Sequence, residues 1–259
     1  PYPGKRPGVY IDEHLDSNKG NIFMIGGCDP VNTTLDALRM RKLLEKRGKL
    51  VNDAIDSTAG KSIETRVSAI MEAISKGGLF IIVQNIYFIE TAKYSHLVLP
   101  AARWGEHFAT SMNGERRIRL YEKLYDPPAE AKPDFIIMAM LANKIKKLYQ
   151  EENNTEMIKR FSGFDWINEK TAQKQAETCF KDGGNTVFPN SKDLGIKGIE
   201  AYRGLNYTKL KDFANNGVIL PISTKGDNII GVYGENTSDE RIRGTRILHK
   251  DYNFYGGKA

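Results

Sequence analysis

The chain has 259 residues, 40% of them hydrophobic and 27% charged, enough material for one large domain or one and a half ordinary ones. A net charge of +6 favours anionic partners, yet 38 basic residues are interspersed with 32 acidic ones and form no dense block, which argues against nucleic acid. Cys28 and Cys179 make no CxxC pair, so the segment alone offers no zinc or iron–sulfur ligation, and no apolar run approaches the roughly 18 residues of a membrane span.

Residues 1–20, opening PYPGKRPGVYIDEH, read as a connecting loop, and the chain is expected to be an internal piece of a longer one. Asn21–Ile25 is a short predicted strand, followed by the turn GGCDP, Gly26 to Pro30, whose glycines let backbone approach a ligand closely. Thr33 or Thr34 can cap a helix running to Arg47, and GKLVNDAI, Gly48–Ile55, reads as the next strand. STAGKS, Ser57–Ser62, matches the tail of a phosphate-binding loop. Ile55 stands where its first glycine is needed, which leaves a helix cap at Ser57 or Thr58 as the plainer reading. Ile63, Val67, Ile70, Met71 and Ile74 then follow a helical period.

Five consecutive apolar residues in GGLFIIVQN, Gly77–Asn85, predict a strand buried on both faces of a parallel sheet, and HLVLP, His96–Pro100, a second one. His96 reads as a hydrogen-bonded packing residue, and Asn113-Gly114 as a turn. A helix starts at Asp134, with Ile137, Leu141, Ile145 and Leu148 on one stripe. Alternating strands and helices predict an α/β fold with an open, doubly wound, mainly parallel sheet, of the dinucleotide-type cofactor-binding kind, over residues 21–150. Residues 151–259 are expected to form a less regular C-terminal lobe, with GVILP and NIIGVYG as strands and a helix broken at Ser162-Gly163.

Ligands of such sheets lie beyond the carboxyl ends of the strands. Gly26–Pro30, Gln84-Asn85 and Arg103–His107 all fall on that edge. The amides of Gln84 and Asn85 can read a purine or pterin edge, and the carboxylates of Asp29 and Asp134 can accept the paired N–H donors of a guanine. Each has a structural alternative: Asp134 as a helix cap, Asp29-Pro30 as a turn, Asn85 as a strand terminator. Arg116, Arg117 and Arg119 suit a pyrophosphate or a salt-bridged surface equally well.

Three stretches, IGGCDP, VQNIYFIETAKYSHLVLPAARWGE and GERRIRLYEKLYDPPAEAKPDF, resemble the molybdopterin oxidoreductase (dimethyl sulfoxide reductase) superfamily over roughly Asn21–Tyr149. Within it they are most similar to the arsenite oxidase branch, and NNGVILP extends the likeness. The resemblance implies molybdenum bound by two molybdopterin guanine dinucleotides, one of them held by this segment, and oxidation of arsenite to arsenate. By the same resemblance Gln84, Asn85, His107 and Asp134 line the dinucleotide, with Arg116 and Asp29 beside them. Asn85 stands where the superfamily commonly has Asp, and Asp29 where many relatives have Asn.

The iron–sulfur ligands and the residues holding arsenite are implied to lie upstream of Pro1, leaving no catalytic residue in the segment, which is expected to be inactive alone. Implied partners are a Rieske-type iron–sulfur small subunit and a cytochrome c or small copper protein as acceptor, in the periplasm. The alternatives are a nitrate reductase, formate dehydrogenase or arsenate reductase of the same superfamily, or a non-enzymatic nucleotide-binding α/β module.

Overall fold

The computed structural model describes residues 7–18, 20–114, 117–182, 205–213, 217–219, 222–225, 228–231, 253–254 and 257–258. The chain divides into two compact units: residues 1–102 with 128–134, and residues 103–127 with 135–259. The expected α/β segment 21–150 is thus shared between them.

The first unit is built on a parallel three-stranded sheet in the order β1 (Ile22–Gly26), β2 (Phe80–Asn85), β3 (Leu97–Pro100). Ile81 and Val83 of the central strand are fully buried. They join Leu15, Ile25, Val31, Met40, Leu44, Leu79 and Ala92 in one core cluster. Around the sheet run α1 (Pro7–Asp16), the short α2 (Pro30–Thr33), α3 (Ala37–Ser57), α4 (Ile63–Ser75) and a 3-10 turn, Glu90–Tyr94. Mixed helix and parallel strand in the expected order make this unit α/β.

Several local expectations are corrected. Residues 7–16 are helical rather than loop. Gly48–Ile55 is no strand: α3 runs unbroken for 21 residues, because Met40, Leu44, Arg47 and Val51 keep the helical period on one buried face. Gly48 is there for closeness, not as a stop signal; a Cβ on it would come 3.3 Å from Ile81 Cδ1. Asp36, not Thr33 or Thr34, caps α3, accepting from the Arg39 amide. The STAGKS loop joins two helices, not a strand to a helix, so its context is wrong for a phosphate loop; Ser62 caps α4 through the Thr65 amide. On α4 the buried residue is Ala73, while Ile63, Val67 and Met71 of the expected stripe are exposed.

In the second unit β4 (Ala109–Met112) and β5 (Arg117–Tyr121) form a hairpin closed at Asn113-Gly114, and β6 (Val218–Ile219) pairs with β5. Ile118, Leu205, Leu210 and Val218 make its core cluster. α5 (Asp134–Glu151) buries Ile136, Ala139 and Ala142 rather than the predicted stripe. After it come α6 (Thr155–Arg160), α7 (Glu169–Asp182) and α8 (Tyr207–Asp212). Of these α7 was not foreseen, although Asn168 and Thr171 exchange capping hydrogen bonds at its start. The remaining strands are two antiparallel pairs, β7 (Ile222–Lys225) with β8 (Asn228–Gly231) and β9 (Asn253–Phe254) with β10 (Gly257–Lys258). No helix among the described residues is long and apolar enough to cross a membrane.

Candidate functional site

Parallel pairing brings the carboxyl ends of the three strands into one row: Gly26 lies opposite Gln84, Gln84 opposite Leu99, and Asn85 opposite Pro100. A later stretch completes the row. Lys132 donates its amide to Pro100 O at 3.2 Å, and Ala102 donates to Lys132 O at 2.9 Å. This short parallel bridge carries the chain to Asp134, 50 residues from Gln84 in sequence, so that Gln84 Nε2 donates to Asp134 Oδ1 at 2.6 Å.

Gln84 is buried, and its Oε1 has no hydrogen-bond partner among the described residues. A buried acceptor without a donor costs about 1–3 kcal/mol, a deficit that N–H donors of a bound ligand would offset. Beside it, Gly26 and Gly27 meet open space: a Cβ on either would find nothing within 4 Å. Gly27 adopts φ 65°, a conformation that favours glycine, while its amide donates to Gln84 O at 3.0 Å. An acceptor pair at Gln84 and Asp134 next to an open glycine turn fits a nucleotide whose base presents N–H donors.

Asn85 does what a strand terminator does: its Oδ1 accepts from the amides of Ile86, at 2.8 Å, and Tyr87, at 3.4 Å. Asp29 turns inward. Its Oδ1 accepts from the Thr91 amide at 3.0 Å and the Thr91 hydroxyl at 2.5 Å, and its Oδ2 from Asn32 Nδ2 at 2.7 Å. Burial pushes this carboxyl up, but the hydrogen bonds from Thr91 and Asn32 outweigh it and hold Asp29 below its ordinary 3.8.

His107 lies in the second unit. Its Nδ1 is 2.9 Å from Phe108 O, and its ring meets Phe135 edge-on. With Phe108, Phe135, Trp166 and Tyr207 it lines a cavity of about 310 Å³. The neighbouring Glu106 is buried and accepts from the Arg103 amide and Nε, at 3.0 and 3.2 Å. Arg116 lies outside the described residues, whereas Arg117 and Arg119 belong to β5.

His96 has the packing role expected of it. The Ile81 amide donates to Nδ1 at 2.8 Å, Nε2 faces Gly48 O at 3.0 Å, and the ring stacks on Phe80. An amide pointing at Nδ1 requires the lone pair of a neutral ring, and burial likewise keeps His96 below its ordinary 6.5. The residue to which sequence reasoning gave no part is Thr91. It is fully buried, and the only signal was its place within the stretch VQNIYFIETAKYSHLVLPAARWGE.

The parallel sheet with its row of polar residues at the carboxyl edge makes the segment α/β, and comparison with known proteins gives the family. The chain belongs to the molybdopterin oxidoreductase family, whose model matches residues 16–144. It is 38% identical to arsenite oxidase subunit AioA of Herminiimonas arsenicoxydans over 242 residues, which cover 90% of this chain and 28% of that protein. Against iodate reductase subunit IdrA of Denitromonas iodatirespirans the identity is 31% over 274 residues, covering 100% of this chain and 28% of the relative. An F420-dependent formate dehydrogenase 2 subunit alpha from Methanococcus maripaludis is 46% identical over 173 residues, 62% of this chain and 25% of that subunit. The chain therefore spans between a quarter and a third of the length of the first two relatives, at 28% each.

Proposed function

We propose that this chain is the part of a molybdenum oxidoreductase catalytic subunit, of the arsenite oxidase type, that binds one molybdopterin guanine dinucleotide. In this reading residues 21–150 are the cofactor-binding segment of an open doubly wound fold, and 151–259 a peripheral lobe. The observation that carries it is the Gln84–Asp134 pair at the carboxyl edge of the parallel sheet, with an unpartnered buried acceptor beside the open Gly26-Gly27 turn. The 38% identity to an arsenite oxidase subunit across 90% of the chain supports the arsenite oxidase reading.

Molybdenum held by two such dinucleotides supplies two-electron redox chemistry when bound. This chain's residues bind and orient. Gln84 and Asp134 offer acceptor oxygens to the guanine, and Asn85 fixes the loop leaving β2. Asp29 belongs to the same rim, and the resemblance adds His107 and Arg116. Iron–sulfur ligands, arsenite-binding groups, the Rieske-type small subunit and the cytochrome c or copper acceptor belong to the rest of the assembly, in the periplasm. An iodate reductase is the second reading, favoured by an alignment that covers 100% of this chain.

The test uses the full-length enzyme. Metal analysis and acid release of guanine nucleotide are expected to give molybdenum with two guanines per metal, and turnover is expected with arsenite rather than iodate or formate. Asp134→Ala is expected to lower molybdenum and guanine content together. Unchanged content would reduce Asp134 to the first residue of α5, and a wild-type enzyme lacking both would sink the proposal.

A further inference from the structure

The Gly26-Gly27 turn is tied down on two sides. On one, the Gly27 amide donates to Gln84 O at 3.0 Å. On the other, Asp29 reaches across 62 residues of sequence to Thr91, which gives it both amide and hydroxyl. The same Thr91 Oγ1 accepts from the Val31 amide at 3.3 Å, so one buried side chain holds both ends of the Asp29–Val31 stretch. The tie continues outward: Asp29 Oδ2 holds Asn32, Asn32 Oδ1 accepts from Arg41 Nη2 at 2.6 Å, and Arg41 Nε returns to Val31 O at 3.1 Å.

Thr91 also stands at the far end of the loop that leaves β2. Between Asn85 and Thr91 the loop leaves β2, its first amides gathered by Asn85 Oδ1 and the Ile89 amide donating to Tyr87 O at 3.0 Å. Tyr87 and Phe88 at its crest are 62% and 69% exposed. Removing the Asp29–Thr91 connection would leave the Asp29 carboxylate held through Asn32.

We infer that Asp29 and Thr91 form a positioning latch, which sets the gap between the Gly26-Gly27 turn and the Asn85–Ile89 loop at the width the dinucleotide tail requires. Asp29 then acts through Thr91 and not by touching the base. Both its oxygens already accept protein donors, three in all, and Thr91 has no exposed surface with which to meet a ligand. The inference rests on the proposed cofactor role and adds to it two positioning residues.

The experiment compares guanine and molybdenum content per polypeptide in full-length wild type and in Thr91→Val, Thr91→Ser, Asp29→Ala and the Thr91→Val/Asp29→Ala double variant. Thr91→Val is expected to lower loading roughly fivefold, the weight of one lost hydrogen-bond partner, with Thr91→Ser restoring it. Asp29→Ala, which takes away the oxygen that both Thr91 donors share, is expected to lose a similar factor and the double variant no more than either, because both break one connection. Should Thr91→Val not fold, Asp29→Ala and Thr91→Ser carry the comparison: reduced loading in the first beside full loading in the second supports the latch. Equal loading in Asp29→Ala and wild type, whatever the melting temperature, overturns it while leaving the cofactor role standing. So does an Asp29→Ala loss that simply adds to that of Thr91→Val, the pattern of direct contact by Asp29. Absence of guanine and molybdenum from wild type removes both.

Discussion

In the first unit nine buried apolar residues, from Leu15 to Ala92, form one cluster, whereas the cluster of the second unit has four, from Ile118 to Val218, among the described residues. Their buried polar groups differ as well. Apart from Thr58, which bonds to Ala54 and Ile55, those of the first unit reach far along the chain: Arg47 to Leu15, Gly20, Gly77 and Gly78, Thr91 to Asp29, Gln84 to Asp134, and with them half-buried His96 to Gly48 and Ile81. In the second unit buried Glu106 bonds to Arg103, three residues away, and aromatic rings pack on one another, Phe108 edge-on to Tyr207 and Trp104 stacked on Tyr121. A polar group that closes a long loop under low dielectric fixes tertiary geometry, while one that bonds its neighbour fixes only a turn. The proposed cofactor edge lies in the unit of the first kind.

Arg47→Met breaks this contrast most sharply. It takes the guanidinium from four carbonyls and is expected to cost about 3 kcal/mol or more, read from denaturant unfolding of the whole protein. Hydrogen exchange should place the loss at the first unit's strands; a loss confined to the β4–β5 hairpin would erase the distinction. Next in size, Leu44→Ala is expected to cost about 3 kcal/mol and Leu210→Ala nearer 2, since the smaller cluster has less around it to leave unfilled. Equal costs would show the two cores to be equivalent.

His96 supplies a pH probe for the first unit alone. Its folded-state pKa lies below the unfolded value of 6.5, so the unfolded chain takes up the proton first. The stability from this group is whole above 6.5 and declines as pH falls from there towards the lowered value. His96→Gln should remove that part of the slope, and an unaltered slope would assign it elsewhere. Smallest of all, Asp53→Ala removes an exposed ion pair to Lys49 and should change stability by less than about 0.5 kcal/mol.

Much of the first unit was readable in advance. The strands at Ile22, Phe80 and Leu97 fall where apolar runs predicted them, and five apolar residues in a row correctly implied a parallel partner on each side. Gly48 misled because a glycine needed for close helix–sheet contact looks the same in sequence as one that ends a helix. The apolar stripes of α4 and α5 misled for a related reason: periodicity says that a helix has an apolar side, not which neighbour is present to cover it. Asp29 and Thr91 were both in view, one as a base reader and the other within a quoted motif, but nothing in either local pattern joins them.

The sequence by itself determined the kind of unit, the placement of its parallel strands and the row of polar residues at their ends, since burial and chain alternation act over short windows. Only the tertiary structure decided which of those polar groups face one another. The Gln84–Asp134 pair and the Asp29–Thr91 latch each depend on sheet register and on a returning segment 50 or 62 residues away, distances over which hydrophobic periodicity carries no information.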